Sequence, residues 1–288
     1  MLEELQHFVL AVERGTLTEA ARHAHLSQPA LTVALQRLEA RVGARLLHRG
    51  PGGVQLTAAG AAFLPRARAS LAAFADGQRA VAEVEGLHAG EVRIGAGATV
   101  CTYLLPKELA AFRTAHPGVR FRLRELTPEA AEDALAAGEI DLAIVTSPRG
   151  EHWRDDPLVL IAAPDLPRPT EAPFVTFPRG STTRAALDRH FPEADVVVEL
   201  GSIAAVKGNV RAGIGIALVG RSAVEVDVEL GRLVIVSDPR TPIARRLSLL
   251  HRGRDRLPPA AAALRHALLG KRPTRSRQAL LAKRHVVP

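Results

Sequence analysis

Cys101 is the only cysteine in this chain, which excludes an intrachain disulfide and any cysteine-cluster metal site. Aromatic residues make up just 3% of the sequence, so its core has to be built from Ala, Leu and Val, which the 47% hydrophobic content supplies. Met1 is the sole methionine and Asn209 the sole asparagine, while arginine greatly outnumbers lysine. A GC-rich genome and selection for heat resistance would both produce that bias. No apolar run reaches the roughly eighteen residues of a membrane helix, and MLEELQHF lacks the basic and apolar regions of an export signal. A cytoplasmic protein with no membrane partner is expected. The 11 histidines show no HExxH or paired ligand spacing, and His23 and His25 cannot share a helical face. There is no G-x-S-x-G elbow and no phosphate loop, and Val100 stands where Gly95-Ala-Gly97 would need the third glycine of a dinucleotide fingerprint. Neither a catalytic residue, a metal nor a cofactor is expected.

The 288 residues exceed one compact unit. The net charge of +8 suggests nucleic acid, but residues 240–288 carry 13 Lys and Arg against the single acid Asp255, leaving −4 for the remainder. Residues 1–60 carry a net +1, so DNA affinity there rests on the placement of a few arginines rather than on bulk charge.

The stretch Thr18–Gly43 reads as two helices joined by a tight turn. Thr18 is a candidate cap for a first helix ending near Ala24, and His25 to Ser27 break the pattern. Ser27 then caps a second helix with Pro29 in its first turn, where a missing N–H costs nothing. Leu31, Leu35, Leu38 and Val42 define its buried face. The opposite face offers Gln28, Thr32, Val33, Gln36 and Arg37, groups suited to base edges and phosphates. A helix-turn-helix is the economical reading; an ordinary α-hairpin packing on another element is the alternative.

Upstream, residues 2–14 place Leu2, Leu5, Phe8, Val9 and Val12 on one helical stripe that Gly15 stops. Downstream, RGPGG forms a loop before the short strand Val54–Leu56, so a wing comes next, with Arg49 at its tip for phosphate or minor-groove contact or for a surface salt bridge. A long helix from Ala58 to Leu87 carries Phe63, Ala67, Ser70, Phe74, Gly77, Val81 and Val84 at steps of four and three, the spacing of a helix that meets a partner helix. After Gly90 strands and helices alternate in two sets, implying parallel sheets with helices on both sides and a cleft between two lobes.

GTLTEAARHAHLSQPALTVALQRLEARVGARLLHR followed by VQLTAAG resembles the N-terminal signature of LysR-type transcriptional regulators. EVRIGAGATVCTYLLPKELAAFRTAHPGV, AAGEIDLAIV, PRGSTTR and ELGSIAAVKGNVRAGIGIALVGRSAV resemble that family's effector-binding domain, so the likeness runs from about residue 2 to 269. It implies an α/β chain with a winged helix-turn-helix over 1–57, a dimerising linker helix over 58–88 and a two-lobed domain over 91–269 similar to periplasmic binding proteins; the basic tail over 270–288 lies outside the likeness. Lobe I would hold about 91–163 and 240–269, lobe II about 164–239. Implied partners are promoter DNA, a small-molecule effector with anions as candidates, a second copy through the linker helix, a homotetramer, and RNA polymerase.

Carried over by position, the DNA-facing candidates are Thr18, Ser27, Gln28, Pro29, Thr32, Val33, Gln36, Arg37 and Arg49. Val33 and Gln36 stand where family members often carry basic or longer polar side chains. The effector-site candidates are Thr99 and Val100, with free N–H groups where a strand enters a helix, Thr127 and Thr146 at strand ends, and Ser202 and Ile203 opening a helix of the second lobe. Simple capping is the other reading of each Thr and Ser. Cys101 could be a redox sensor or a small buried residue. Two rival classes remain, a solute-binding protein and an enzyme on the same scaffold. The first has no use for residues 1–60, and the second would need an acid–base cluster that is not visible.

Overall fold

The computed structural model describes residues 1–50, 53–84, 90–270 and 286–287. The Arg49 side chain, the last residues of the expected linker helix and the tail from 271 to 285 lie outside the described residues.

Helix α1 (Leu2–Arg14) buries Leu5, Phe8 and Ala11 and ends at Gly15, whose φ of 69° no other residue adopts cheaply. Helix α2 (Leu17–His23) is capped by Thr16 and not, as expected, by Thr18: Thr16 has extended backbone, and its hydroxyl accepts from Glu19 N–H at 3.2 Å. Helix α3 (Gln28–Val42) starts at Ser27, whose hydroxyl accepts from Ala30 N–H at 3.3 Å. Leu31, Leu35 and Leu38 are buried in the head core, but Val42 is exposed, because α3 outruns the core before Gly43 ends it. Glu39 accepts from the N–H groups of Leu46 and Leu47 at 2.8 and 3.1 Å, tying the following strand to α3.

Strands β1 (Leu47–Gly50) and β2 (Gly53–Leu56) form an antiparallel hairpin. Val54 N–H donates to Gly15 O at 2.7 Å, so the hairpin docks on the end of α1. A Cβ on Gly53, at φ +94°, would come within 2.4 Å of that carbonyl, so only glycine fits.

Helix α4 (Ala58–Val84) passes Pro65 without ending. Its first half joins the head core through Phe63, Leu64, Ala67 and Leu71. Its second half lies on the first lobe, where a Cβ on Gly138 (φ +71°) would overlap Ala72 Cβ at 1.9 Å. Phe74 and Val81, on the remaining face, stay 51% and 60% exposed. No described helix is long and apolar enough to cross a membrane.

The first lobe contains β3 (Glu91–Ala96), helix α5 (Leu105–Ala115), β4 (Arg120–Glu125), helix α6 (Pro128–Ala136), β5 (Leu142–Thr146) and β6 (Glu151–Asp155). The chain then crosses to the second lobe. There it forms β7 (Leu158–Ala162), β8 (Phe174–Thr176), α7 (Thr182–His190), β9 (Val196–Glu199), α8 (Ile203–Arg211), β10 (Ala217–Gly220), α9 (Glu225–Glu229) and β11 (Val234–Val236). It returns through β12 (Arg246–Leu250) and α10 (Pro259–Gly270). The first sheet has the order β4-β3-β5-β12-β6, and in the second β7 lies between β10 and β11.

Two sequence expectations need correction, and one strand is new. The sheets are mixed: β3 runs parallel to β4 and β5, but β12 is antiparallel to β5 and β6, and β7 to β10 and β11. Strand β7 belongs to the second sheet, although the sequence pattern places residues 157–163 in the first lobe. The unforeseen β6, EHWRD, buries only Trp153. Its Glu151 is held by Arg265 and Arg254, whose hydrogen bonds and charges pull the carboxyl down to about 2 despite partial burial.

Candidate functional site

The head presents one continuous outer face. Thr18, Ser27, Gln28, Pro29, Val33, Gln36 and Arg37 are exposed and Thr32 is half-buried, on the side of α2 and α3 opposite the buried leucines. Ser27 spends its hydroxyl on the helix cap. Among the described residues, the side chains of Gln28, Gln36 and Arg37 have no partner within the chain, whereas Arg22 pairs with Glu19 and Arg41 approaches Glu4 at 3.7 Å. Val33 and Leu26, 44% and 37% exposed, add methyl groups of the kind that meet a thymine methyl. The sequence reading misses Leu26 because it sits in the turn between helices. For Arg49 only the backbone is described.

A second site lies between the lobes, in a cavity of about 290 Å³. Thr99, Val100, Thr127 and Thr146 line it from the first lobe and Ile203 from the second. Ser202 does not line it; its hydroxyl accepts from Ala205 N–H at 3.2 Å and caps α8. The expected free N–H of Val100 is also absent, since it donates to Gly97 O at 2.9 Å in a tight entry turn. Thr127 caps α6 through Ala130 N–H at 3.3 Å while facing the cavity. Thr99 is only 9% exposed, and its hydroxyl, like that of Thr146, makes no hydrogen bond within the described residues. A hydroxyl left without a protein partner on a cavity wall is available to a ligand.

Several lining residues escape the sequence reading. Ser181, Thr182 and Thr183 bring the N-terminus of α7 to the cavity wall, where first-turn N–H groups and the helix dipole favour an anion. Their signal is present in PRGSTTR, a polar triplet opening a helix. Arg245 also lines the cavity and has no local signal, because β-sheet crossover alone brings it there. Its guanidinium is buried against Asp156, donating from Nε to the Asp156 carbonyl at 2.9 Å and from Nη2 to its carboxylate. Asp156 also accepts from Ser222 N–H and Oγ at 2.9 and 3.0 Å. These residues stand where the chain passes between lobes, with Asp156 N–H bonded to Arg245 O at 3.0 Å.

Cys101 is half-buried beside this wall. Burial, and then the charge of Glu125, push its thiol up to about 11, so it stays protonated and behaves as a small packing residue, not a reactive thiolate.

Comparison with known proteins matches residues 2–61 to the profile "Bacterial regulatory helix-turn-helix protein, lysR family", and residues 85–272 to "LysR substrate binding domain". A RuBisCO operon transcriptional regulator of Allochromatium vinosum is 31% identical, over 94% of this chain and 96% of its own. The HTH-type transcriptional regulator CfxR of Cupriavidus necator is 31% identical over 93% and 90%. Among solved structures, ArgP from Mycobacterium tuberculosis superposes with a TM-score of 0.68 at 18% identity, covering 93% of this chain and 95% of that one. CbnR bound to its target DNA gives 0.63 at 24% identity, covering 93% and 98%. These structural likenesses show the fold.

Proposed function

The chain belongs to the LysR family of DNA-binding transcriptional regulators, and from that premise we propose how its own residues serve that role. It carries an effector domain and is not an enzyme. The outer face of α3 enters the major groove, with Gln28, Thr32 and Gln36 reading base edges, Val33 supplying methyl contact and Arg37 and Arg49 gripping phosphate. Thr18, Ser27 and Pro29 fix the entry of α3 against the backbone. The observation that carries this reading is the unpartnered polar face of Gln28, Gln36 and Arg37, back to back with buried Leu31, Leu35 and Leu38.

The exposed Ser70, Phe74, Gly77 and Val81 on α4 suit a second copy of the same helix, giving a dimer whose two heads reach successive grooves about 34 Å apart. A dimer of such dimers would make the tetramer, acting in the cytoplasm with RNA polymerase as a further partner. The effector is a small carboxylate or other anion held between Thr99 and the α7 N-terminus, with Val100, Thr127, Thr146 and Ile203 shaping the walls. Ligand contact with both lobes would bias their arrangement and so the geometry of the DNA-bound assembly.

A panel of mono- and dicarboxylates tests the cavity by thermal melting. A true effector at a hundredfold excess over its Kd should stabilise by about 2.7 kcal/mol, roughly 5–10 °C for a domain of this size. Thr99→Val, which keeps the shape and removes the hydroxyl, should abolish most of that rise. An undiminished rise in the variant would contradict the assignment of Thr99.

A further inference from the structure

Strand β3 ends at Ala96, and after three intervening residues the chain enters a π turn, Val100–Leu104, before settling into α5. The extra residue in such a turn rotates the next stretch of helix about its axis, and π turns concentrate at functional sites. Here the rotation has a visible product. Thr99 and Val100, at one end of the turn, face the cavity, while Tyr103, near the other end, packs with Ala98 against the core of the opposite lobe.

Tyr103 is the only tyrosine of the chain, and it lies under a cation. The Lys207 ammonium, carried by α8 of the second lobe, stands 4.9 Å from the centre of its ring. That ammonium is also fixed from behind, donating to Asp227 Oδ2 at 2.7 Å and to Ala223 O at 2.8 Å. Arg211 adds a contact to the other Asp227 oxygen at 3.3 Å. Only 12% of the Lys207 side chain is exposed, so the ring face replaces water that the ammonium has lost, the setting in which such contacts are strongest.

The connection continues from there. Ala223 closes the short turn Arg221–Ala223, and Ser222 of that turn is bonded to Asp156, which holds Arg245 in the cavity wall. The cavity wall, the π turn, the Tyr103–Lys207 clasp and the crossover therefore form one connected set of contacts.

We infer that Tyr103 is a positioning residue for the cleft: its ring, seated beneath Lys207, sets the separation of the two lobes and thereby the width of the cavity that Thr99 lines. The inference rests on the effector reading for its regulatory meaning, though its physical content needs no ligand. A ligand bridging Thr99 and α7 would pull together the same two bodies that Tyr103 and Lys207 already join.

The test measures inter-lobe distance by electron–electron spin resonance, without added ligand, in the full-length chain. Spin labels are placed through Glu129→Cys on α6 and Arg189→Cys on α7, both exposed positions, in a Cys101→Ala background, with labelled chains diluted into unlabelled ones. The parent should give one narrow distribution. Tyr103→Phe and Lys207→Arg, which keep a ring and a cation, should preserve it. Tyr103→Leu and Lys207→Met should each broaden it toward longer distance, lowering the closed-to-open ratio roughly 5- to 30-fold. The double variant should open the lobes by less than the sum of the two single effects, because both remove the same contact. If Tyr103→Leu fails to fold, Lys207→Met carries the test alone. Distributions unchanged in these variants would overturn the inference. Should no carboxylate stabilise the protein while the clasp variants still open the lobes, the effector reading falls and the clasp stands.

Discussion

Replacing Asp141 by alanine should destabilise the first lobe by about 3–5 kcal/mol, the loss expected when one partner of a buried ion pair is removed. Asp141 precedes β5, and none of its side chain is exposed. It accepts from Arg93 N–H at 2.8 Å, from Arg93 Nη2 at 2.9 Å and from Arg79 Nη2 at 2.9 Å. Arg79 is on α4, and Asp76 of the same helix pairs with Arg252, so this cluster fastens the linker helix to the lobe. Alanine would strand both guanidinium groups without their shared carboxylate. Urea melts should show the loss at neutral pH, and hydrogen exchange should quicken along the second half of α4.

The same cluster sets an acid dependence. Burial alone would raise the Asp141 pKa, but the hydrogen bonds from Arg93 and Arg79 prevail and hold its carboxyl below the ordinary value. A folded-state pKa below the unfolded one means stability that is complete above the unfolded value, near 3.9, and that fades as pH falls through the folded one. Asp141→Asn should therefore be less stable than the parent at pH 7, with the gap closing as pH drops below about 4. A gap that persists unchanged into acid would show that the lost charge is not what matters.

Exchanging both Gln28 and Gln36 for alanine should cost roughly 10²- to 10⁴-fold in affinity for a specific operator. Each well-placed amide contact to a base edge is worth about 1–3 kcal/mol. Neither side chain is charged, so binding to random duplex, and the slope of affinity against salt, should stay nearly as in the parent. Arg37→Ala should do the reverse, weakening all sequences together and lowering the salt slope by about one. Both exchanges fall on exposed positions without partners among the described residues, so melting temperature should change little. Competition binding against random DNA at several salt concentrations separates the two patterns.

The head is the most legible part of the chain because its signals are local. Gly15 and Gly43 end helices through left-handed backbone, and Ser27 followed by Pro29 opens α3. The error there is between two neighbouring threonines. Both suit a cap, and only the extended backbone at Thr16 decides between them. The lobes are legible as alternating elements, but alternation carries no strand direction. The antiparallel β7 and β12 arise because the chain crosses between lobes twice, a long-range fact. Strand β6 escapes because four of its five residues are charged or imidazole groups, leaving Trp153 as the one buried apolar residue.

At the cavity, the rule that ligands gather at strand ends points to Thr99, Thr127 and Thr146, which do line it. Ser202 and Ser181 both cap helices of the second lobe, and packing alone determines that the Ser181 end, not the Ser202 side chain, lines the cleft. Arg245 is not legible at all, since its partner Asp156 lies 89 positions away in sequence.

Mapping where the protein binds along its own genome, in parallel with the Gln28→Ala, Gln36→Ala double variant, tests the central claim that the exposed face of α3 reads sequence. Discrete sites with two related half-sites about one helical turn or a multiple apart, lost in the variant while residual binding becomes diffuse, are the predicted result. Occupancy at the same sites with the same strength in both proteins would contradict it.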